Sequence, residues 1–413
     1  MTREEAINLV KKEGSKLDLL PEEFKKDSEI VLVAVSNFGD SLELANENLR
    51  KNKEIVMAAV SNDGRALGYA DINLRKDKKI ALTAVNSHGD ALEYVSDELK
   101  KDKEIVLAAV KNEGYALKFA NKSFTTDQEI ILSAVKNDGS SLEFADDKLK
   151  LNKQIVAAAV ENDGSALQYA GKELKRDKEI VLKAVKKYGL ALEFADISLR
   201  KDKEVVLATV ERSGHSLEFA DESLKKDKEV VLTAIKNDGS ALQYADVSQR
   251  KDKENVITAI KNDGSAIQHA DDELKKDKDI VLICVQNDGR ALGNADQSCR
   301  NDREIVLAAV QEDGYGLEFA GNRFKKDKEI VLTAVKRSGH SLQYANEICK
   351  KDKEIVLAAV KQDGYALEFA DVSLKKDKEI VLAAINQDEA AIQYVDNALK
   401  KIDKSTGKYK YSS

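Results

Sequence analysis

The chain has 413 residues, and its 67 basic against 74 acidic side chains give a formal net charge of −7. This balance argues against a dedicated nucleic-acid-binding protein, for which a strongly basic domain is expected. It has no apolar run long enough to span a membrane, and three cysteines are too few for a disulfide framework. We therefore expect no membrane span, and free, buried thiols at Cys284, Cys299 and Cys349. The charged N-terminus predicts no signal peptide, so we expect a cytoplasmic protein.

An interval of 25 residues organises the chain. Fifteen glycines follow it from Gly14 to Gly364, and the next position in the series holds Glu389. Sixteen repeats fit between Thr2 and Lys401 without an insertion or deletion. A fixed period of this size indicates a solenoid of stacked units. We predict an all-α fold, an α-solenoid of sixteen two-helix repeats that form an elongated superhelix, with one domain over residues 1–401.

The first repeat, residues 2–26, is predicted to cap the N-terminal end of the array. Thr2 and Glu5 have the spacing of a capping box. Glu5 also places a polar residue where later repeats carry Ile or Val. Pro21 suits the first residue of a helical turn.

Residues 352–376 are typical of the repeats that follow. Asp352 is a candidate N-cap, and the apolar segment behind it predicts a largely buried first helix. Gly364 fits the position after a helix C-terminus, where the backbone turns through the left-handed region. A second, shorter helix with Leu367 and Phe369 on its inner side is expected next, and then a turn whose Leu374 points to the core.

The last repeat, residues 377–401, is predicted to cap the C-terminal end. Glu389 and Ala390 replace the glycine and its variable neighbour, so its two helices are expected to fuse into one. Residues 402–413 lack any periodicity and are predicted to form a disordered tail.

The pattern Asp-x-Glu-(Ile/Val)-Val-Leu-x-Ala-Val…Gly-x-Ala-Leu-x-(Phe/Tyr)-Ala…Leu-Lys resembles the helical repeat family catalogued as domain of unknown function 4116. The resemblance covers residues 2–401. It implies a tandem helical array, and the family brings no assigned activity or catalytic residues. Short α-solenoids often serve as protein-binding scaffolds, which is an analogy from fold.

Enzyme motifs are not found in the sequence: it has no P-loop, no GxGxxG after a strand, no HExxH and no GxSxG. The histidines lack metal-spaced partners, and the recurrent Asn-Asp-Gly lacks the alternating carboxylates of a calcium loop. We expect no catalytic residue, no cofactor and no metal, and we interpret Asn-Asp-Gly as a helix C-terminus.

Two repeated features each allow two interpretations. One position carries an aromatic residue in most repeats, such as Phe144 and Tyr169; core packing is favoured there over stacking on nucleic-acid bases. Runs such as Lys225, Lys226 and Lys228 predict a lysine edge that attracts an anionic polymer or an acidic lipid surface. The alternation of these lysines with Asp and Glu favours a solvated, self-neutralising edge.

The residue after each glycine changes freely, whereas the glycine and its apolar neighbours barely change. In a solenoid such positions line one surface, and Tyr and Arg are enriched in binding hot spots. We predict a non-enzymatic scaffold or structural repeat protein that binds a protein partner along this surface; the alternative is an anionic-polymer binder using the lysine edge. The candidate contacts are Arg65, Tyr115, His215, Arg290, Tyr315, His340 and Tyr365.

Polar residues interrupt the pattern in the middle of the chain. They stand at positions that are apolar or aromatic in other repeats, so they indicate either a local polar pocket or hinge, or tolerated decay in a redundant array. These residues are Gln249, Asn255, His269 and Asn294.

Overall fold

The computed structural model describes residues 1–397, 400–402 and 409–411. The chain divides into two compact units, Met1–Arg212 and Ser213–Ser413, which are described separately. In both units, consecutive repeats pack helix against helix, and each repeat consists of the same helical segments in the same order. The predicted fold class, an all-α repeat solenoid, is confirmed.

Each repeat begins with an α-helix, called here the long helix, of ten residues in nearly every case. The long helices of the first unit are Arg3–Lys12, Ser28–Asn37, Lys53–Asn62, Lys78–Ser87, Lys103–Asn112, Gln128–Asn137, Lys153–Asn162, Lys178–Lys187 and Lys203–Val210. Those of the second unit are Lys228–Asn237, Lys253–Asn262, Lys278–Asn287, Arg303–Glu312, Lys328–Arg337, Lys353–Gln362 and Lys378–Gln387.

A six-residue helix, called here the middle helix, follows each long helix and is a 3₁₀-helix, the form typical of short helical pieces. The middle helices of the first unit are Gly14–Leu19, Gly39–Leu44, Gly64–Tyr69, Gly89–Tyr94, Gly114–Phe119, Gly139–Phe144, Gly164–Tyr169 and Gly189–Phe194. Those of the second are Gly214–Phe219, Gly239–Tyr244, Gly264–His269, Gly289–Asn294, Gly314–Glu318 (five residues), Gly339–Tyr344, Gly364–Phe369 and Glu389–Tyr394.

A third, shorter helical segment links most repeats to the next. In the first unit these segments are Phe24–Lys26, Leu49–Lys51, Leu74–Lys76, Leu99–Lys101, Lys122–Thr126, Leu149–Leu151, Leu174–Arg176 and Ile197–Arg200. In the second they are Val247–Arg250, Leu274–Lys276, Gln297–Arg300, Phe324–Lys326, Glu347–Lys350 and Leu374–Lys376.

The long helices form the core for the reasons that the sequence indicates. In Lys103–Asn112 the apolar residues Ile105, Val106, Ala109 and Val110 are all fully buried. The helix is capped by the Asp102 carboxylate, which accepts a hydrogen bond from the backbone N–H of Glu104. The predicted capping box of Thr2 and Glu5 is present, with both reciprocal hydrogen bonds formed. The three cysteines are free and buried, as predicted.

Asn and Asp of the Asn-Asp-Gly sequence have separate structural roles. Asn162 bridges two repeats: its Oδ1 accepts from the Gly139 N–H at 2.8 Å, and its Nδ2 donates to the Lys136 carbonyl at 3.0 Å. Asp163 has extended backbone dihedral angles, ends the long helix and caps the middle helix by accepting from the Ser165 N–H. The sequence predicted a helix C-terminus here, and the structure adds the bridge between neighbours.

The glycines are required for a different reason from the one predicted. The backbone of Gly239 is outside the left-handed region, so the predicted left-handed turn is wrong there. A Cβ at Gly239 would instead lie 2.5 Å from the carbonyl oxygen of Ala259, on the long helix of the next repeat. Glycine therefore allows two neighbouring backbones to approach closely.

The last repeat also differs from the prediction. Asp388 is extended and separates Lys378–Gln387 from Glu389–Tyr394, so the two helices are not fused. Glu389 is exposed, because no further long helix follows it in the described residues. For the predicted disordered tail, the structure describes an antiparallel strand pair, Lys400–Ile402 with Tyr409–Tyr411. The rest of the tail, residues 403–408 and 412–413, lies outside the described residues.

Candidate partner-binding face

The middle helices carry one surface in each unit, called here the middle-helix face. In every repeat it consists of the residue before the glycine, the residue after it, and the fourth and fifth residues after it. Tyr115, directly after a glycine, packs edge-on against Phe144, the fifth residue after the next glycine, with ring centroids 5.3 Å apart. Equivalent ring pairs are His215–Tyr244, Tyr315–Tyr344, His340–Phe369 and Tyr365–Tyr394.

The repeated aromatic position lies at the surface and is not core, in contrast to the prediction. Phe144 and Tyr169 are half-buried, whereas Leu142 and Leu167 of the same middle helices are fully buried. Leu already fills the space beneath the middle helix, so the ring lies on its outer side. The Phe144 ring there packs against Tyr115, which follows the glycine of the preceding repeat.

The predicted contact residues all lie on the middle-helix face, with different exposure. Arg65, Tyr115 and Arg290 are exposed, Tyr115 by 45%. The others are half-buried, and their rings also pack against the next repeat; these residues are His215, Tyr315, His340 and Tyr365.

Arg290 and Tyr315 come together, with the guanidinium carbon 4.4 Å from the ring centroid. They line a cavity of about 490 Å³ whose other walls include Asp288, Asp313 and Arg337.

Two further aromatic side chains on this face were missed from the sequence. Phe38 and Tyr188 precede their glycines, where most repeats have Asp, and they are 45% and 41% exposed. The signal was present as a departure from Asp in the Asn-Asp-Gly pattern, which we had assigned to a helix C-terminus alone.

Three side chains on this face contact a carboxylate of the following repeat. Arg290 Nε donates to Asp313 Oδ2 at 2.7 Å, and His215 Nδ1 lies 2.5 Å from Asp238 Oδ2. The His340 ring makes the same contact with Asp363. Arg65 pairs with Asp63 of its own repeat, because the next repeat has His88 at the equivalent position.

Two tyrosines of the face have a raised pKa. Burial raises the pKa of Tyr169, and the nearby carboxylates of Glu143, Asp163 and Asp138 raise it further. Burial likewise raises the pKa of Tyr69, with a further contribution from Glu43. Burial and nearby carboxylates thus raise the tyrosine pKa in separate repeats.

Most charged residues of the face are acidic. In residues 27–201 its only basic members are Arg65 and Lys118, and in residues 213–394 its only basic member is Arg290, with histidine taken as neutral. The acidic members are Asp40, Glu43, Asp63, Asp90, Glu93, Glu113, Asp138, Glu143, Asp163 and Glu193 in the first range. In the second they are Glu218, Asp238, Asp263, Asp288, Asp313, Glu318, Asp363, Glu368 and Asp388.

The lysine edge is engaged in ion pairs between repeats. Lys78 Nζ lies 2.7 Å from Asp102, the N-cap of the next long helix, and 2.8 Å from Glu104. This pairing raises the pKa of Lys78 and holds the pKa of Asp102 below its usual value. Equivalent pairs are Lys53–Asp77, Lys103–Asp127, Lys153–Asp177, Lys178–Asp202, Lys228–Asp252, Lys253–Asp277, Lys278–Asp302, Arg303–Asp327, Lys328–Asp352 and Lys353–Asp377.

Two of the polar interruptions compensate each other. Asn255 is fully buried and donates from Nδ2 to Gln249 Oε1 at 2.8 Å, while Gln249 Nε2 donates to the Lys226 carbonyl at 2.8 Å. The Oδ1 of Asn255 has no hydrogen-bond partner among the described residues.

The other two interruptions lie apart from this pair. His269 lines a separate cavity of about 220 Å³ with Arg250 and Lys275. Its pKa is lowered by burial and by these two cations. Asn294 is half-buried on its middle helix.

In the described part of the chain, no group of three or more His, Cys, Asp or Glu side chains is placed to hold a metal ion. Over the same residues, no helix combines the length and apolar character needed to cross a bilayer.

The repeated units define a tandem helical-repeat protein. Comparison with family profiles matches the family described as a domain of unknown function (DUF4116), and the chain belongs to it. Most matches span two adjacent repeats. They cover residues 2–50, 29–75, 52–100, 77–125, 127–175, 152–200, 177–222, 202–250, 252–300, 302–350 and 352–400. None of the curated proteins compared matches this chain.

Proposed function

We propose that this protein is a non-enzymatic, cytoplasmic scaffold that binds a protein partner along the middle-helix face. The observation that carries the proposal is the repeated pairing of partly exposed rings across neighbouring repeats, as at Tyr115 and Phe144. Such rings pack against each other and keep apolar area accessible. Rigid aromatic side chains beside polar groups are typical of protein-binding hot spots.

The variable residue after the glycine is the position best suited to carry specificity. Gly139 and Leu142 are fixed by packing against the core or the next repeat, whereas Ser140 between them is only half-buried. A substitution there changes the surface without opening a cavity. A series of such variable residues, on repeats whose packed residues stay the same, can thus set the specificity for one partner.

The alternative, binding of an anionic polymer through the lysine edge, has less support. Lys228 is committed to Asp252 and Glu254, and Lys225 to Glu222. A phosphate group would have to displace these carboxylates, which lie within 3.1 Å of the lysine nitrogens. The pairs also neutralise the positive potential that would attract a polyanion.

The proposal is tested by replacing Tyr115, Tyr315 and Tyr365 together with Ser. Partners are first identified by affinity capture and mass spectrometry, and one purified partner is then titrated against both proteins. We expect at least about tenfold weaker binding, or about 1.4 kcal/mol, with unchanged helical content.

A matched control replaces Ile72, Ile197 and Val372 with Ser. These side chains are 65%, 66% and 61% exposed and lie outside the middle-helix face. Equal weakening by the control would contradict the assignment of the face. Loss of binding only when Lys225, Lys226 and Lys228 are changed to Glu would favour the lysine edge instead.

A further inference from the structure

In two places the middle-helix face holds a histidine between a carboxylate and a ring of the next repeat. His215 lies between Asp238 and the ring of Tyr244, at 2.5 Å from the carboxylate and 5.5 Å from the ring centroid. His340 lies in the same way between Asp363 and Phe369. A carboxylate and an aromatic ring of one repeat therefore form a cradle for a side chain from the repeat before it.

Arg290 shows that a guanidinium group pairs with the carboxylate at this position. Its ring partner is Tyr315, which directly follows a glycine, whereas the rings beside His215 and His340 are the fifth residue after one. The Nε of Arg290 donates to Asp313, and its guanidinium carbon lies 4.4 Å from the centroid of the Tyr315 ring. The contact combines a charge-assisted hydrogen bond with a cation–π interaction. Arginine is particularly suited to this combination because its guanidinium is planar and weakly hydrated.

In the first unit, one cradle has both walls but no internal cation. The carboxylate is Asp163 and the ring is Tyr169, which occupy the repeat positions of Asp238 and Tyr244 beside His215. The carboxylate of Glu143 also acts on the Tyr169 hydroxyl, whose pKa is raised mainly by burial and further by Glu143. The residue that would reach into it is Ser140, whose hydroxyl donates to Asp138 of its own repeat at 2.7 Å. No ion pair to Asp163 is formed among the described residues, and Tyr169 remains half-buried.

We propose that the partner presents an extended, arginine-rich segment to the middle-helix face, with one guanidinium group bound between Asp163, Glu143 and Tyr169. The inference rests on the proposed scaffold function and names the chemistry of its partner. Charge complementarity supports it, because the face of residues 27–201 carries ten carboxylates against two cations. The contacts of His215 and His340 show a side chain held between this carboxylate and this ring, and Arg290 shows a guanidinium group paired with the equivalent carboxylate.

The spacing of the repeats favours an extended segment. Neighbouring packed helices are typically about 8–10 Å apart, and three residues of extended chain span about 10 Å. Arginine at every third position therefore places successive guanidinium groups at the spacing of successive repeats. The carboxylates of the face, such as Glu143 and Glu93, would hold them.

The test measures binding of a fluorescent peptide of repeated Arg-Ser-Ser units to the full chain by anisotropy. The comparison peptide has citrulline in place of each arginine, which keeps the shape and removes the charge. We expect the arginine peptide to bind at least about tenfold more tightly, and its affinity to fall as salt is added. Equal binding of the citrulline peptide overturns the proposal.

Two substitutions change the availability of cradles without removing a carboxylate or a ring. Ser140→Arg is expected to pair with Asp163 as Arg290 does with Asp313, and so to weaken peptide binding about tenfold. Arg290→Ser is expected to strengthen binding, because it frees Asp313 and Tyr315. Opposite or absent effects of both changes overturn the proposal.

Control substitutions make the same change in charge outside the face. They test whether the peptide binds at the cradle or is attracted by the net charge of the protein. Ile72→Arg adds one positive charge outside the middle-helix face and is expected to have little effect. Asp163→Asn, which keeps the N-cap of its middle helix, is compared with Asp147→Asn at an exposed position outside the face. If each control weakens binding as much as its counterpart, the peptide is attracted by net charge alone and the cradle is wrong.

The same measurements distinguish this inference from the scaffold function. Suppose that the arginine peptide binds no better than the citrulline peptide, while the triple Tyr→Ser substitution still weakens binding of the purified partner. The proposed partner chemistry is then wrong, and the face remains the binding surface. If the triple variant binds that partner normally, the proposed face itself is wrong.

Discussion

Replacing Gly239 with Ala tests why glycine recurs every 25 residues. The new Cβ would lie 2.5 Å from the Ala259 carbonyl oxygen and 3.1 Å from Asp263, whereas ordinary contact begins near 3.4 Å. The two repeats must therefore separate locally by about 0.9 Å at this contact. That shift would also lengthen the 3.3 Å hydrogen bond from the Gly239 N–H to Asn262 beyond bonding distance.

The expected loss follows from these two effects. Overpacking costs about 1–3 kcal/mol and a lost hydrogen bond about 1 kcal/mol, so the variant should be less stable by about 2–4 kcal/mol. Because repeat arrays unfold with incomplete cooperativity, urea unfolding should be combined with hydrogen exchange. We expect faster exchange in Lys228–Asn237 and Lys253–Asn262, on either side of the contact.

Glu389 provides the matched control, because it occupies the glycine position where no further long helix follows in the described residues. Glu389→Ala should change stability by less than about 0.5 kcal/mol. Gly239→Asn separates the clash from backbone strain, since Asn tolerates the left-handed region better than Ala does. If Gly239→Asn is clearly milder than Gly239→Ala, or Gly239→Ala is harmless, the close-approach explanation is refuted.

Two further predictions concern contacts between and within repeats. Asp102→Asn should keep the helix cap, as Asn52 does in its repeat, but lose the ion pair with Lys78. Because the pair lowers the pKa of Asp102 in the folded state, its contribution is present above the unfolded pKa of about 3.9 and disappears as the pH falls through the folded value. The urea midpoints of the two proteins should therefore differ at pH 7 and converge near pH 2; a difference that persists in acid would contradict the ion-pair assignment. The double change Gln249→Leu with Asn255→Ile should stabilise the chain by about 1–3 kcal/mol, because it removes the unsatisfied Asn255 Oδ1; Gln249→Leu alone should destabilise it, and additive effects in denaturation would show that the two side chains do not interact.

The sequence by itself determined what depends on residues close together in the chain. The 25-residue period, the caps at Asp102 and Thr2, and the buried side of each long helix follow from local hydrogen bonding and helical periodicity. The fold class followed from these features, since units with one apolar side must stack on copies of themselves. The positions of Tyr115, Arg290 and the other variable residues on one kind of surface followed from the same period.

The tertiary structure decided everything that depends on atoms in the next repeat. Glycine is required at 239 because the Ala259 carbonyl lies close to it. Lys78 forms its ion pair with Asp102. Tyr169 is partly exposed because Leu167 fills the space beneath the middle helix. The cradle at Asp163 likewise requires knowledge of which side chain reaches across from Ser140. Periodicity shows that two repeats are neighbours, but packing sets the distances at their contact. Glycine is required at 239 because the Ala259 carbonyl lies there, whereas glutamate is allowed at 389 because no further long helix follows in the described residues.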